Sequence, residues 1–132
     1  MLKKISILVP YKIQNNELYV WTQIRESSDA LNGYLEFPGG KSEFGENEML
    51  TVIREVREET GALIESPELF GSYSFDGDIM ISVFALEMVN AQLQQNGLVM
   101  ASKLLEEGVF IMPNNRLIIT DFIASFKSIG RT

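Results

Sequence analysis

The sequence predicts an α/β fold in which a mixed sheet carries helices on both faces, within a single domain spanning residues 1–132. Three observations point there. An amphipathic segment from Glu46 to Thr60 lies between β-rich runs, and a second helical segment closes the chain near Arg116–Phe126. Two dipeptides, Asn15-Asn16 and Asp76-Gly77, separate extended runs in the manner of tight hairpins. A length of 132 residues suits one domain, since single domains typically run ~100–200 residues. Repeats, low-complexity tracts and linkers are absent from the sequence.

The elements follow in order. Residues 5–13 are β-branched and read as a first strand, and Glu17 to Gln23 as a second. A polar loop from Glu26 to Gly33 leads into Tyr34–Phe37, a short extended piece stopped by Pro38 and Gly39-Gly40. In the helix at 46–60, Met49, Val52, Ile53 and Val56 stand at i, i+3, i+4 and i+7, one apolar stripe, and Gly61 is placed to end it. Strands are expected from Leu69 to Phe75 and from Asp78 to Leu86. Residues 88–100 read as loop plus a short strand, and Ala101 to Glu107 as a brief helix. Met112–Asn115 reads as a turn, with Asn115 a candidate N-cap for the closing helix.

Composition removes whole classes of function. With 45% hydrophobic residues the chain can build a core. A net charge of −7 argues against a nucleic-acid polymer as partner. Without Cys there is no disulfide framework, thiolate metal site or cysteine nucleophile; without His there is no Ser-His-Asp chemistry and no usual zinc ligand. A metal would have to sit on oxygen ligands, which favours Mg²⁺, Mn²⁺ or Ca²⁺. Lys3 and Lys4 precede the apolar Ile5–Val9, but that run is short, ends in Pro10 and lacks a cleavage signature. No run approaches ~20 apolar residues, so neither a signal peptide nor a membrane partner is expected, and the cytoplasm is the expected location.

Chemistry concentrates in the 46–60 helix. Glu55, Glu58 and Glu59 stand at i, i+3 and i+4, on one face roughly 120° from the apolar stripe. Close carboxylates repel by about 1 kcal/mol per pair in water, and a divalent cation removes that cost. Glu46, near the helix start, is in reach of the same ion and of the helix dipole, and Arg54 stands four residues before Glu58 to neutralise the cluster in part. On spacing alone, a solvated glutamate-rich face explains the pattern equally well. Two look-alikes fail: Gly39-Gly40-Lys41-Ser42 lacks the earlier glycine of a P-loop, and Asp76-Gly77-Asp78 lacks the remaining ligands of a calcium loop.

The segment Gly40 to Ala62, GKSEFGENEMLTVIREVREETGA, resembles the Nudix box G-x5-E-x7-R-E-U-x-E-E-x-G-U, where U is bulky and apolar. Gly40, Glu46, Arg54, Glu55, Val56, Glu58, Glu59 and Gly61 stand at the required spacing, and Ala62 is a mild departure. This resemblance implies an α/β/α sandwich and an enzyme that hydrolyses nucleoside diphosphate derivatives with Mg²⁺, Mn²⁺ being the alternative. Carried over by position, Glu55, Glu58 and Glu59 are the expected metal ligands, with the Gly40 carbonyl a further one. Glu55 or Glu58 doubles as base, Glu46 assists, and Arg54 orients the glutamates.

Outside the box, Leu35–Lys41 is similar to the LEFPGGK stretch of MutT-like Nudix enzymes, and Pro113–Ile118 to the segment opening their last helix. The resemblance implies that Asn115 reads a purine edge and that Arg25 contacts phosphate, and Lys41 is a further substrate-binding candidate that reads equally as an ordinary surface lysine; Phe75 and Tyr73 are placed either to stack on a base or to fill the core. It departs at Gly97–Met100, where MutT-like chains often carry an acidic residue and a tryptophan; Glu106 and Glu107 are distant substitutes and the lone tryptophan, Trp21, is in an early strand. The expected activity is therefore pyrophosphohydrolysis of a nucleoside triphosphate, best matched by oxidised purines such as 8-oxo-dGTP. The alternatives are another nucleoside diphosphate derivative (a CTP-like nucleotide, a nucleotide sugar or a dinucleoside polyphosphate) or a silent binding module. The expected partner is a small nucleotide, and the expected state a monomer or homodimer.

Overall fold

Lys3–Gln14 forms β1, and Ser6 to Pro10 are buried without a break. A strand covered on both faces has no reason to alternate polar and apolar residues, which accounts for its Ile-Ser-Ile-Leu-Val run. The computed structural model describes residues 2–88, 93, 94 and 97–128. Asn15 and Asn16 adopt left-handed φ of 54° and 62°, returning β1 into antiparallel β2 (Glu17–Trp21), as the turn signal predicts. The second strand does not continue to Gln23. Gln23–Ile24 (β3) instead pairs with Leu35–Glu36 (β4) in a separate two-stranded sheet.

Gly39-Gly40 is a second correction. The extended piece does end, at Glu36, but Gly39-Gly40 then forms a strand of its own, β5 (Gly39–Lys41), antiparallel to β1 with Ser6 opposite Gly40 and Ile7 opposite Gly39. A Cβ on Gly39 would lie 2.3 Å from the Ser6 carbonyl oxygen and 2.6 Å from Ile7 Cα, and its φ is 153°. The glycine is required for backbone approach, not for a stop.

Glu48–Thr60 forms α1, so the helix starts two residues later than expected. Asn47 is its N-cap, accepting from the Leu50 amide at 2.8 Å, and Gly61 ends it with φ 79° and its N–H on the Arg57 carbonyl. Val52 and Val56 are fully buried and Ile53 is half-buried, but Met49 is exposed; Thr51 takes its place on the buried face. Glu68–Phe75 (β6) and Ile79–Glu87 (β7) form a hairpin around Asp76-Gly77, whose φ values are 54° and 75°. Part of the expected 88–100 loop (89–92, 95 and 96) lies outside the described residues. Its short strand is Leu98–Met100 (β8), paired with β2. The brief helix is a 3₁₀ turn at Ala101–Leu105, and Pro113–Ser128 forms α2.

In the main sheet the order is β6-β7-β1-β2-β8, with β5 also on β1, and the α/β class expected from the sequence is the class observed. The chain divides into two compact units, Met1–Pro10 with Pro38–Leu93, and Tyr11–Phe37 with Gln94–Thr132. In the first, α1 packs on β5 and β7, and Leu8, Val52, Val56 and Val83 are fully buried. In the second, α2 packs on the 3₁₀ turn over Leu104, Ile118 and Ile119. Among the described residues, no helix is long and apolar enough to cross a membrane.

Candidate active site

The first unit assembles the acidic cluster from α1 and β5. Gly40 is the seat of Glu55: a Cβ built there would lie 2.4 Å from the Glu55 carboxyl carbon and 2.6 Å from both its oxygens. Only glycine leaves room for that carboxylate against the strand. One turn further, Glu58 is exposed, and Glu59 turns toward β5 to accept the Gly39 amide at 2.9 Å.

Arg54 gathers the rest. Its Nε and Nη2 donate to the two oxygens of Glu46 at 2.6 and 3.1 Å, a bidentate pair, while Nη1 donates to Glu55 at 3.1 Å and Glu58 at 2.9 Å. Nη2 also donates to the Lys41 carbonyl at 3.0 Å, and Glu43 stands 3.6 Å from Nε. Four carboxylates thus share one guanidinium, leaving surplus negative charge on hard oxygen donors. Among the described residues no three acidic groups converge as a ready metal cage, because Arg54 draws Glu55 and Glu58 to itself and Glu59 faces Gly39. The donor set nonetheless fits a hard divalent cation, with the Glu55 seat over Gly40 as its fixed point.

Glu46 lies just before the Asn47 cap rather than in the helix, and Arg54 holds it through two hydrogen bonds. The Arg54 hydrogen bond, then the Glu43 amide, hold its carboxyl at about 2, well below the usual carboxylate range; Thr51 adds a contact at 3.0 Å. The Arg54 guanidinium is raised in turn, chiefly by Glu46, and stays charged throughout. A carboxyl depressed in the folded state stabilises it above the ordinary value of 4.5, and that contribution is lost as pH falls from 4.5 toward 2. Melting temperature should therefore fall across this window, and Glu46→Gln should flatten the fall; an unaltered slope in the variant would exclude Glu46 as the group responsible. Thr51, Glu43 and Asn47 were not singled out from the sequence. The Asn47 cap alone had a readable signal, an Asn just before the periodic run.

Lys41 contributes its carbonyl to Arg54 and has an exposed side chain. Phe75 and Tyr73 share one face of β6 and stack on each other at 6.3 Å and 7°, both half-buried. Arg25 and Asn115 belong to the second unit. Arg25 pairs with Glu36 at 3.4 Å and Asp29 at 3.3 Å, while among the described residues its buried Nε has no hydrogen-bond partner. Asn115 is not an N-cap: α2 begins at Pro113, so Asn115 lies inside its first turn. Its Oδ1 accepts the Phe37 amide at 2.8 Å, which sets the direction of the amide N–H groups of this buried side chain.

A Nudix domain family model matches residues 4–116. The chain belongs to the Nudix family. Its Nudix box in three dimensions is Glu55 seated on Gly40, with Glu46, Glu55 and Glu58 held by Arg54 and Glu59 on the Gly39 amide. Over 77 residues the chain is 36% identical to the 8-oxo-dGTP diphosphatase of Escherichia coli, a match covering 57% of each protein. Over 76 residues it is 32% identical to the ADP-ribose pyrophosphatase of Methanocaldococcus jannaschii, covering 54% of this chain and 45% of that one. The chain thus spans about half the length of these curated relatives. The crystal structure of a mutT/nudix family protein from Listeria innocua superposes with a TM-score of 0.75 at 15% identity, over 96% of this chain and 94% of that one. At that identity the likeness is one of fold, and it agrees with the Nudix fold expected from the box.

Proposed function

We propose that this Nudix protein is a cytoplasmic hydrolase of the phosphoric anhydride bond that converts a nucleoside triphosphate and water into the monophosphate and pyrophosphate, with oxidised purines such as 8-oxo-dGTP as its preferred substrates and nucleotide sanitation as its role. The observation that carries the reading is the Glu55 carboxylate seated on Gly40, with Glu58 and Glu59 one turn on. Glu55, Glu58, Glu59 and the Gly40 carbonyl would hold Mg²⁺ or Mn²⁺, which when bound offsets phosphate charge and acidifies water. Glu55 or Glu58 accepts the proton of the attacking water. Arg54 keeps both in register while binding Glu46. In this reading Arg25 binds phosphate, Asn115 and Phe75 bind the base, and Lys41 is a further substrate-binding residue. The diphosphatase relative supports the substrate class.

A second reading, hydrolysis of another nucleoside diphosphate derivative, is supported by the ADP-ribose pyrophosphatase match and by the missing acidic-tryptophan pair at Gly97–Met100. Product analysis with Mg²⁺ across normal and oxidised nucleoside triphosphates and ADP-ribose separates them. Highest kcat/KM on 8-oxo-dGTP, yielding monophosphate and pyrophosphate, is the expected result. Better turnover of ADP-ribose or a pyrimidine nucleotide would replace the substrate and keep the chemistry. No turnover of any of them would leave a binding module.

A further inference from the structure

We infer that Ser6 is a positioning residue for Glu55, its hydroxyl held beneath the carboxylate to orient it when a divalent cation is bound. This rests on the hydrolase reading and adds to it a residue outside the box. Ser6 is fully buried in the middle of β1, where its neighbours are Ile5, Ile7, Leu8 and Val9, and among the described residues its hydroxyl has no hydrogen-bond partner. A buried hydroxyl left unpaired opposes folding, and an alanine in its place would carry no such penalty. An orphan of this kind calls for a reason.

The register supplies it. Ser6 stands directly opposite Gly40 in the β1–β5 ladder, and directly opposed residues project to the same face of a sheet. On that face the space above Gly40 holds the Glu55 carboxylate, 2.4 Å from where a Cβ would be. The Ser6 hydroxyl and the carboxylate therefore share one side of a two-residue pair whose other member has no side chain to separate them. In the structure Glu55 is turned to Arg54 Nη1 at 3.1 Å, which leaves the hydroxyl unused. With a cation bound, Arg54 still orients one oxygen of Glu55, and Ser6 is the donor within the strand that can hold its second oxygen. Ligating carboxylates are themselves commonly hydrogen-bonded, and loss of such a partner typically costs about 10–100-fold in metal affinity or activity.

The test uses the full chain and Mn²⁺ as probe, with free Mn²⁺ followed by electron paramagnetic resonance and melting followed in EDTA. Ser6→Ala is expected to weaken Mn²⁺ binding by about tenfold or more and to lower kcat with little change in KM, while the metal-free melting temperature stays level or rises. A lower metal-free melting temperature would mean a structural hydroxyl and overturn the inference. So would unaltered Mn²⁺ affinity in Ser6→Ala when Glu58→Gln loses it, and in that case the hydrolase reading stands. Unaltered affinity in Glu58→Gln as well would remove the metal site itself, and with it both readings.

Discussion

Glu58→Gln is expected to lower kcat by about 10³-fold or more while leaving the fold intact. The substitution keeps shape and removes one charge. Glu58 is more than half exposed and, among the described residues, is tied by a hydrogen bond to Arg54 Nη1, so little packing depends on it. Arg54 retains Glu46 through two bonds and Glu55 through a third. Surface ion pairs of this type contribute about 0–1 kcal/mol, so the melting temperature should move by a few degrees at most. Steady-state kinetics beside circular dichroism decide the matter. Activity within a factor of a few of the parent would sink the assignment of Glu58 to the metal site.

Two adjacent glycines give the second large effect, and they should fail in opposite ways. On Gly40, a new Cβ meets the end of a flexible side chain, the Glu55 carboxylate. The strand can stay and the carboxylate must go. Gly40→Ala is therefore expected to keep a near-parental melting temperature and to lose about 10²-fold in kcat, the usual consequence of moving a reacting group by about 1 Å. On Gly39, the new Cβ meets backbone, the Ser6 carbonyl oxygen at 2.3 Å and Ile7 Cα at 2.6 Å. Nothing there can swing aside, so Gly39→Ala is expected to cost on the order of 4 kcal/mol of stability. Thermal melts of the two variants test the contrast, and equal losses of stability would show that the Glu55 seat is also a structural contact.

Arg54 offsets part of the repulsion within the cluster. Four carboxylates of the first unit lie within ion-pair distance of Arg54, and Glu59 takes a backbone amide instead. Arginine suits this task because its rigid fork serves Glu46 with two donors and still presents a third toward Glu55 and Glu58. A lysine at this position has no such fork, and would leave part of the cluster to repel itself.

Much of this was legible in the residues alone. The hairpins at Asn15-Asn16 and Asp76-Gly77 were readable because positive φ restricts the choice of residue so strongly. The helix period, its Gly61 stop and the common face of Glu55, Glu58 and Glu59 follow from local geometry that a helix imposes on any sequence. The box spacing carried the family, and the family the fold class. What local pattern could not say is which partner a residue finds at long range. Gly39-Gly40 reads as a stop because glycine usually ends elements; only the pairing with Ser6 and Ile7 makes it a strand with a carboxylate in its open space. Asn115 reads as a cap because Asn caps helices, yet its oxygen is taken by the Phe37 amide, 78 residues away. Met49 fits the apolar period but faces solvent, and Thr51 is buried in its place beside Ser42 and Glu46. The sequence by itself determined which groups this protein has for chemistry and that they share a helical face, because helical spacing is a local property. Only the tertiary structure decided which carboxylate is seated on Gly40 and which are bound by Arg54, because those are contacts between strand, loop and helix that no single segment contains.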